Sequence, residues 1–345
     1  MMRAAVAFAV FSLLLYQFGG NGENMPASGI WLLSQFGRSV LPESMGVGWM
    51  FDRADSYAWS LWEIEFPKKK RKPLEIPKLS VEQLDEMGTL PSEFLLQPFL
   101  IPGLLNNTNA SKIFGVPRLL ASPVGDLKIH YFKDARRFNT VPDGYAPLRE
   151  IATNITKGGV EKFGTEMIFR TFPQLIDELP VHLINKIVSE GYVSKERLGK
   201  MLTIPVFMGH GQETNSTRTD LHCEPIANVV LQLAGSKRWT LIMPHMSKYL
   251  KPQIGPDGRA YVYSTRHPSD TDILHLERYE VVMEQGDVMF IPTWTWHRVE
   301  YLAGVTALSA SFFHVRIKEL MQSNSLFASA TIPNMLKELF GIKKQ

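Results

Sequence analysis

In "TDLHCEPIANVVLQLAGSKRW" (Thr219–Trp239) a histidine and a glutamate stand two positions apart in an apolar run, and a lysine follows fifteen residues after the histidine. Two is the strand repeat, so in an extended chain His222 and Glu224 point to one face and Cys223 to the other. An imidazole and a carboxylate converging on one face suit a divalent metal. A third ligand is available in "GDVMFIPTWTWHRVE" (Gly286–Glu300). There Gly286-Asp287 reads as a turn, "VMFIP" as a buried strand, and His297 as the start of the next strand. Two histidines and one carboxylate on neighbouring strands hold an ion from one side and leave its other positions to a chelating co-substrate and O2. Fe(II) fits this set, and so do Mn, Co and Ni. Lys237 follows Gly235-Ser236, read as a hairpin turn, and is expected on the strand adjacent to that of His222. A buried ammonium without a partner is costly. An anion is therefore expected beside it, namely the far carboxylate of a dicarboxylate whose other end chelates the metal.

These residues need a rigid frame, and the texture of the chain from Met201 onward supplies one. "MLTIPVFMG", "ANVVLQLAG", "KRWTLIMP", "YEVVMEQGDVMFIP", "WHRVEYL" and "VTALSASFFHV" are short β-branched and aromatic segments punctuated by Gly and Pro. Such spacing indicates an all-β sandwich or barrel, here expected over residues 201–316. Residues 80–200 read as its helical and strand-bearing N-terminal part. Ser80 is placed to cap a helix over "LSVEQLDEMG", "FLLQPFLIPGLL" reads as a strand and a Pro-Gly turn, and residues 159–200 read mainly as short helices broken at Pro173 and Pro180. Residues 317–345 return to helical periodicity, and 23–79 read as a lead-in or linker rich in Trp, Gly and Pro.

The formal charge of +3 is concentrated in "PKKKRKP" (Pro67–Pro73), whose basic run covers 68–72. Without those five residues, 32 Lys+Arg face 34 Asp+Glu, which excludes a broad nucleic-acid surface. Segment 1–22 has a basic Arg3 and an uncharged apolar run from Ala4 to about Tyr16. That is the length of a signal-peptide h-region, with Gly20-Asn21-Gly22 as a cleavage site, or the start of an uncleaved signal anchor, the one route by which the sequence implies a membrane. Four N-x-S/T sequons, at Asn106, Asn109, Asn154 and Asn215, agree with a secretory-pathway lumen and glycosylation. Cys223 is the sole cysteine, so no intramolecular disulfide exists.

The pattern "TDLHCEPIANVVLQLAGSKRWTLIMP…YEVVMEQGDVMFIPTWTWHRVE" resembles the JmjC/cupin-8 family of Fe(II)- and 2-oxoglutarate-dependent oxygenases, closest in style to the small JmjC hydroxylases. The resemblance runs from about Phe94 to Val315 and is most specific from Met201. It implies a mainly β fold with flanking helices (α+β), a double-stranded β-helix or jelly roll. It implies that His222, Glu224 and His297 hold Fe(II) and that Lys237 pairs with the distal carboxylate of 2-oxoglutarate. By the same resemblance Thr219 hydrogen-bonds that carboxylate, Asn228 lies near the co-substrate, and Ser311 falls where some members place an asparagine. The implied reaction consumes O2 and 2-oxoglutarate, releases succinate and CO2, and hydroxylates a protein or peptide side chain, or demethylates it where the carbon is an N-methyl.

Two departures stand out. Glu224 replaces the usual Asp of the hydroxylases, as in the lysine-demethylase branch, and Trp294-Thr295-Trp296-His297 replaces Trp-Trp-His. The basic run at 68–72 resembles a nuclear-localisation signal, so a nuclear lysine demethylase is the alternative enzyme. A JmjC-like binding protein without activity is the alternative of another class, and loss of a ligand would be its sign.

Overall fold

The computed structural model describes residues 25–339 apart from 42–44, 63–65, 89, 107, 111–113, 134–141, 189–191, 200–201, 214–216, 256–258 and 266–269. The signal or anchor segment 1–22 lies outside the described residues, as do the sequon residues Asn107, Ser111, Asn215 and Ser216.

The β-branched segments become strands. In chain order they are β1 (Phe99–Ile101), β2 (Lys128–Tyr131), β3 (Gly144–Pro147), β4 (Phe163–Thr165), β5 (Leu202–Thr203), β6 (Val206–His210), β7 (Thr217–Arg218) and β8 (His222–Cys223), then β9 (Ala227–Ala234), β10 (Lys237–Ile242), β11 (Pro252–Ile254), β12 (Val262–Ser264), β13 (Tyr279–Met283), β14 (Val288–Ile291), β15 (Trp296–Tyr301) and β16 (Thr306–His314). Among the described residues two antiparallel seven-stranded sheets form. One has the order β1-β14-β9-β16-β6-β4 with β5 on β16, and the other β11-β12-β8-β15-β10-β13 with β7 on β15. This is the jelly roll expected from the sequence. The strand β4 lies in a segment that reads mainly as helix.

The register decides which residues face inward, because partners across an antiparallel ladder share a face. In the second sheet His297 pairs with His222 and Leu241, and Leu241 with Tyr279. Two residues along, Trp239 pairs with Val299 and Val281. Two further, Lys237 pairs with Tyr301 and Met283. In the first sheet Val230 pairs with Met289 and Ser311. The apolar members of these rows form the cluster between the sheets, with Val230, Met289 and Ile291 opposite Trp239, Leu241 and Val281. The alternate residues of the first sheet (Val229, Leu231, Phe290, Phe312) face outward against helices that include α4 (Leu148–Thr156) and α5 (Val181–Val188). The outer face of the second sheet, with Leu221, Cys223, Trp294 and Trp296, meets Trp31 and Phe327. Those two belong to α1 (Met25–Val40) and α6 (Ser325–Leu339); among the described residues before β1, α2 (Gly48–Leu61) and α3 (Val81–Met87) follow α1. Ser80 caps α3 in a full capping box with Gln83.

The hairpin expected at Gly235-Ser236 is corrected. β9 and β10 belong to different sheets, so this turn carries the chain across the sandwich. Gly235 sits at φ +59°, and a Cβ there would lie 2.1 Å from the Thr306 carbonyl oxygen, so only glycine allows the crossing. Consequently Lys237 is not on the strand beside that of His222; β15 runs between them.

Candidate metal centre

His222 and His297 are direct ladder partners on β8 and β15, with ring centroids 4.2 Å apart. Glu224 lies just past the end of β8, and its Oε1 is 3.9 Å from His222 Nε2. One donor atom from each of the three lies within 4.8 Å of the others, and all three residues are buried. They form the single cluster of at least three such ligand side chains found among the described residues.

The backbone fixes the chemistry of both rings. His222 Nδ1 lies 2.8 Å from the Asp220 carbonyl oxygen and His297 Nδ1 lies 3.0 Å from that of Thr295. A carbonyl accepts only, so each Nδ1 carries the proton and donates it, and each Nε2 keeps its lone pair for a metal. Burial holds both imidazoles neutral. His297 is pushed down to about 4, and His222 well below its ordinary value, with His297 adding to the effect. Neutral imidazoles beside a carboxylate are the form a divalent ion requires. The turn before β15 is held in an uncommon conformation, Trp294 at φ +62°, and its N–H donates to the Glu224 carbonyl at 3.0 Å. That bond ties the peptide unit of one ligand to the loop that delivers another.

Lys237 is 1% exposed and reaches from one sheet to the other. Its Nζ donates to Ser309 Oγ at 2.7 Å and to the Phe207 carbonyl at 3.4 Å, and stands 4.7 Å from the ring centroid of Tyr301. No carboxylate pairs with it among the described residues, and burial lowers its pKa to about 7. Burial pushes the Tyr301 phenol well up, so it stays neutral. The row of His297 and the row of Lys237 are four residue steps apart along β10, roughly 13 Å of strand.

Of the other expected residues, Asn228 is buried on β9 and its Oδ1 has no hydrogen-bond partner among the described residues. Thr219 accepts the Val299 N–H on its Oγ1 at 3.0 Å, which holds it beside the interior row of Trp239. Ser311 is buried on β16 opposite Val230. It is Ser309, two residues earlier, that meets the Lys237 ammonium. Sequence reasoning missed Ser309 and Tyr301, although Ser309 shares the parity of Ser311 in "SASFF". Two further rings, Tyr261 and Tyr263, lie 6.0 and 6.5 Å from that of His222. Cys223 is buried on the outer face, away from the ligands, as expected.

The model of a cupin-like domain matches residues 132–319. HSPB1-associated protein 1 from Homo sapiens is 32% identical over 85 residues, 23% of this chain and 17% of that protein. Its Mus musculus counterpart is 33% identical over 85 residues. The tRNA wybutosine-synthesizing protein 4 of Aspergillus oryzae is 30% identical over 93 residues, 27% of this chain and 9% of that protein. The similarity to these relatives therefore spans less than a fifth of their length.

Proposed function

Since this chain belongs to the cupin-like domain family, of JmjC type, we propose that it is an Fe(II)- and 2-oxoglutarate-dependent oxygenase that hydroxylates a side chain of a protein or peptide. The observation that carries this reading is one buried interior holding both a His-Glu-His cluster with neutral imidazoles and a lysine without a carboxylate partner among the described residues. The residues fit the groups: His222 Nε2, His297 Nε2 and the Glu224 carboxylate would hold the iron, and Lys237 the distal carboxylate of the co-substrate. When bound, the iron supplies O2 activation coupled to conversion of 2-oxoglutarate to succinate and CO2.

The chain's own part is placement and exclusion of water. The Asp220 and Thr295 carbonyls aim the imidazoles. The ammonium end of Lys237 and the ligand cluster face the same interior, four residues of β10 apart, so a dicarboxylate held by both would lie between them. Ser309 steadies the ammonium, and the Asn228 Oδ1 is free to accept from a water that accompanies the bound ligand. At neutral pH Lys237 takes up a proton as the dicarboxylate arrives, because the anion restores the charged form that burial opposes.

Succinate formation with purified protein, Fe(II) and a peptide library tests the reading, with His297→Ala as the control. Peptide hydroxylation dependent on His297 supports it; metal binding with no 2-oxoglutarate turnover for any peptide favours the binding-protein alternative. We also place the protein in the secretory pathway, a reading supported by the apolar run at 4–16 and by Asn154 and Thr156, both exposed at the end of α4. An endoglycosidase mobility shift checks this. No shift together with nuclear accumulation would favour the demethylase, whose signal would be the exposed run Lys68–Lys72.

A further inference from the structure

Helix α1 changes character along its length. Its first half buries Ala27, Trp31 and Leu32, whereas in its second half Ser34, Gln35 and Ser39 are buried and Leu33, Phe36 and Val40 are 51, 36 and 52% exposed. At 100° per residue these three, with Gly29, make one outward stripe containing no polar side chain. A polar network fixes this orientation. Gln35 Nε2 donates to Asp55 Oδ1 at 2.7 Å, Gln35 Oε1 accepts the Ile254 N–H at 2.8 Å, and Arg38 Nη2 donates to Asp55 Oδ2 at 2.9 Å. Asp55 is fully buried, so turning the helix to hide the stripe would strand its carboxylate. Gly37 adds a steric lock, since a Cβ there would lie 2.4 Å from the Phe51 ring of α2.

The stripe does not stand alone. Eight of the eighteen exposed large hydrophobic side chains among the described residues lie between Leu33 and Tyr57, among them Trp49 at 58%. A concentration of this kind marks a surface that meets an apolar phase. The chain indicates which phase. The apolar run ending near Tyr16 is joined to α1 by the eight residues Gln17–Asn24, which reach at most roughly 28 Å. That is little more than the length of α1 itself, about 24 Å, so a bilayer that receives the run lies within reach of the stripe. Trp49 and Tyr57, each 58% exposed on the neighbouring α2, are the residue types that settle at the headgroup level. No described helix is long and apolar enough to cross a membrane.

We propose that α1 and the start of α2 form a lipid-facing surface, with Leu33, Phe36, Val40 and Trp49 seated at the headgroup–acyl boundary of a bilayer. Cys223 is buried and is the sole cysteine, so Leu33→Cys and, in the separate β2–β3 hairpin, Tyr145→Cys each give one labelling position in the full chain. Each variant carries an environment-sensitive fluorophore and is mixed with phosphatidylcholine–phosphatidylserine vesicles whose acyl chains are brominated. The expected result is quenching severalfold stronger at Leu33→Cys than at Tyr145→Cys. A second expected result is vesicle binding weakened about tenfold or more in the triple variant Leu33→Ser, Phe36→Ser, Val40→Ser, with 2-oxoglutarate turnover unchanged. Equal quenching at both positions overturns the proposal, since any anchoring would then come from the N-terminal run alone. So does a label at Leu33→Cys that is already shielded without vesicles, which would mean that the run itself or a second copy covers the stripe.

Discussion

The barrel interior and helix α1 depart from the usual partition of polar and apolar groups in opposite senses. Inside the barrel, Lys237, His222, His297 and Asn228 are buried where a well-packed core would hold Leu or Val. On α1, Leu33, Phe36 and Val40 face outward where Lys or Glu would ordinarily stand. In both places the local hydrogen bonds are good: backbone carbonyls serve the imidazoles, Ser309 the lysine, and Gln35 and Arg38 the buried Asp55. Under the readings proposed above, each place suits a partner of its own kind: a cation for the His-Glu-His cluster, an anion for the lysine, and an apolar phase for the stripe on α1. An inverted group that the chain itself holds firmly is a statement about a ligand, and the sign of the inversion tells its chemistry.

Breaking the interior should have the larger effects. His297→Ala is expected to abolish stoichiometric Fe(II) or Mn(II) binding and succinate formation, while circular dichroism remains that of the wild type; a metal titration reads this directly. Lys237→Ala should weaken 2-oxoglutarate binding by about two to three orders of magnitude, the equivalent of about 3–5 kcal/mol for a broken buried pair. Metal affinity should barely move. Lys237→Met separates function from stability. Without ligand it should stabilise the fold by about 1–4 kcal/mol in denaturant titrations, because a costly buried cation is replaced by a side chain of similar volume. It should also lose all stabilisation by 2-oxoglutarate.

A pH series sharpens the same point. Lys237 has a folded pKa of about 7 against 10.5 for the free side chain. Between those values the unfolded chain holds a proton that the folded one lacks, so ligand-free stability contributed by this group rises with pH across that window and is flat below about 7. Subtracting the Lys237→Met profile from that of the wild type isolates this slope, and saturating 2-oxoglutarate should flatten it.

Ser309→Ala removes one neutral partner of the ammonium and should cost about tenfold in 2-oxoglutarate affinity. On α1 the contrast predicts two unequal changes. Gln35→Leu, which strands part of the Asp55 network, should destabilise by about 1–3 kcal/mol, whereas Phe36→Ser should stay within about 0.5 kcal/mol in water. If Phe36→Ser destabilised as much as Gln35→Leu, the stripe would be part of the packed protein and the comparison would fail.

The sequence made the local rules legible. His222 and Glu224 at strand spacing, His297 after a turn, Ser80 ahead of its helix and the change of texture near residue 201 all depend on neighbours in the chain. What it hid depends on the pairing of distant segments. That β15 lies between the His222 and Lys237 strands follows from sheets that exchange strands at Gly235, and a glycine-serine pair reads equally well as a hairpin. Ser309 and Tyr301 come to Lys237 from two other strands, so no spacing announces them. Helix α1 lies in a stretch that reads as a lead-in because its apolar residues are split between a core face with Ala27, Trp31 and Leu32 and an outer stripe with Leu33, Phe36 and Val40, which blurs the helical period.

The central claim is that one buried interior was built for a metal and a dicarboxylate together, and calorimetry of 2-oxoglutarate binding to the Mn(II)-loaded protein without O2 tests it most directly. The expected result is one site per chain, with proton uptake above about pH 7, present in the wild type and lost in Lys237→Ala at unchanged Mn(II) occupancy. Equal 2-oxoglutarate affinity in the two proteins would contradict it.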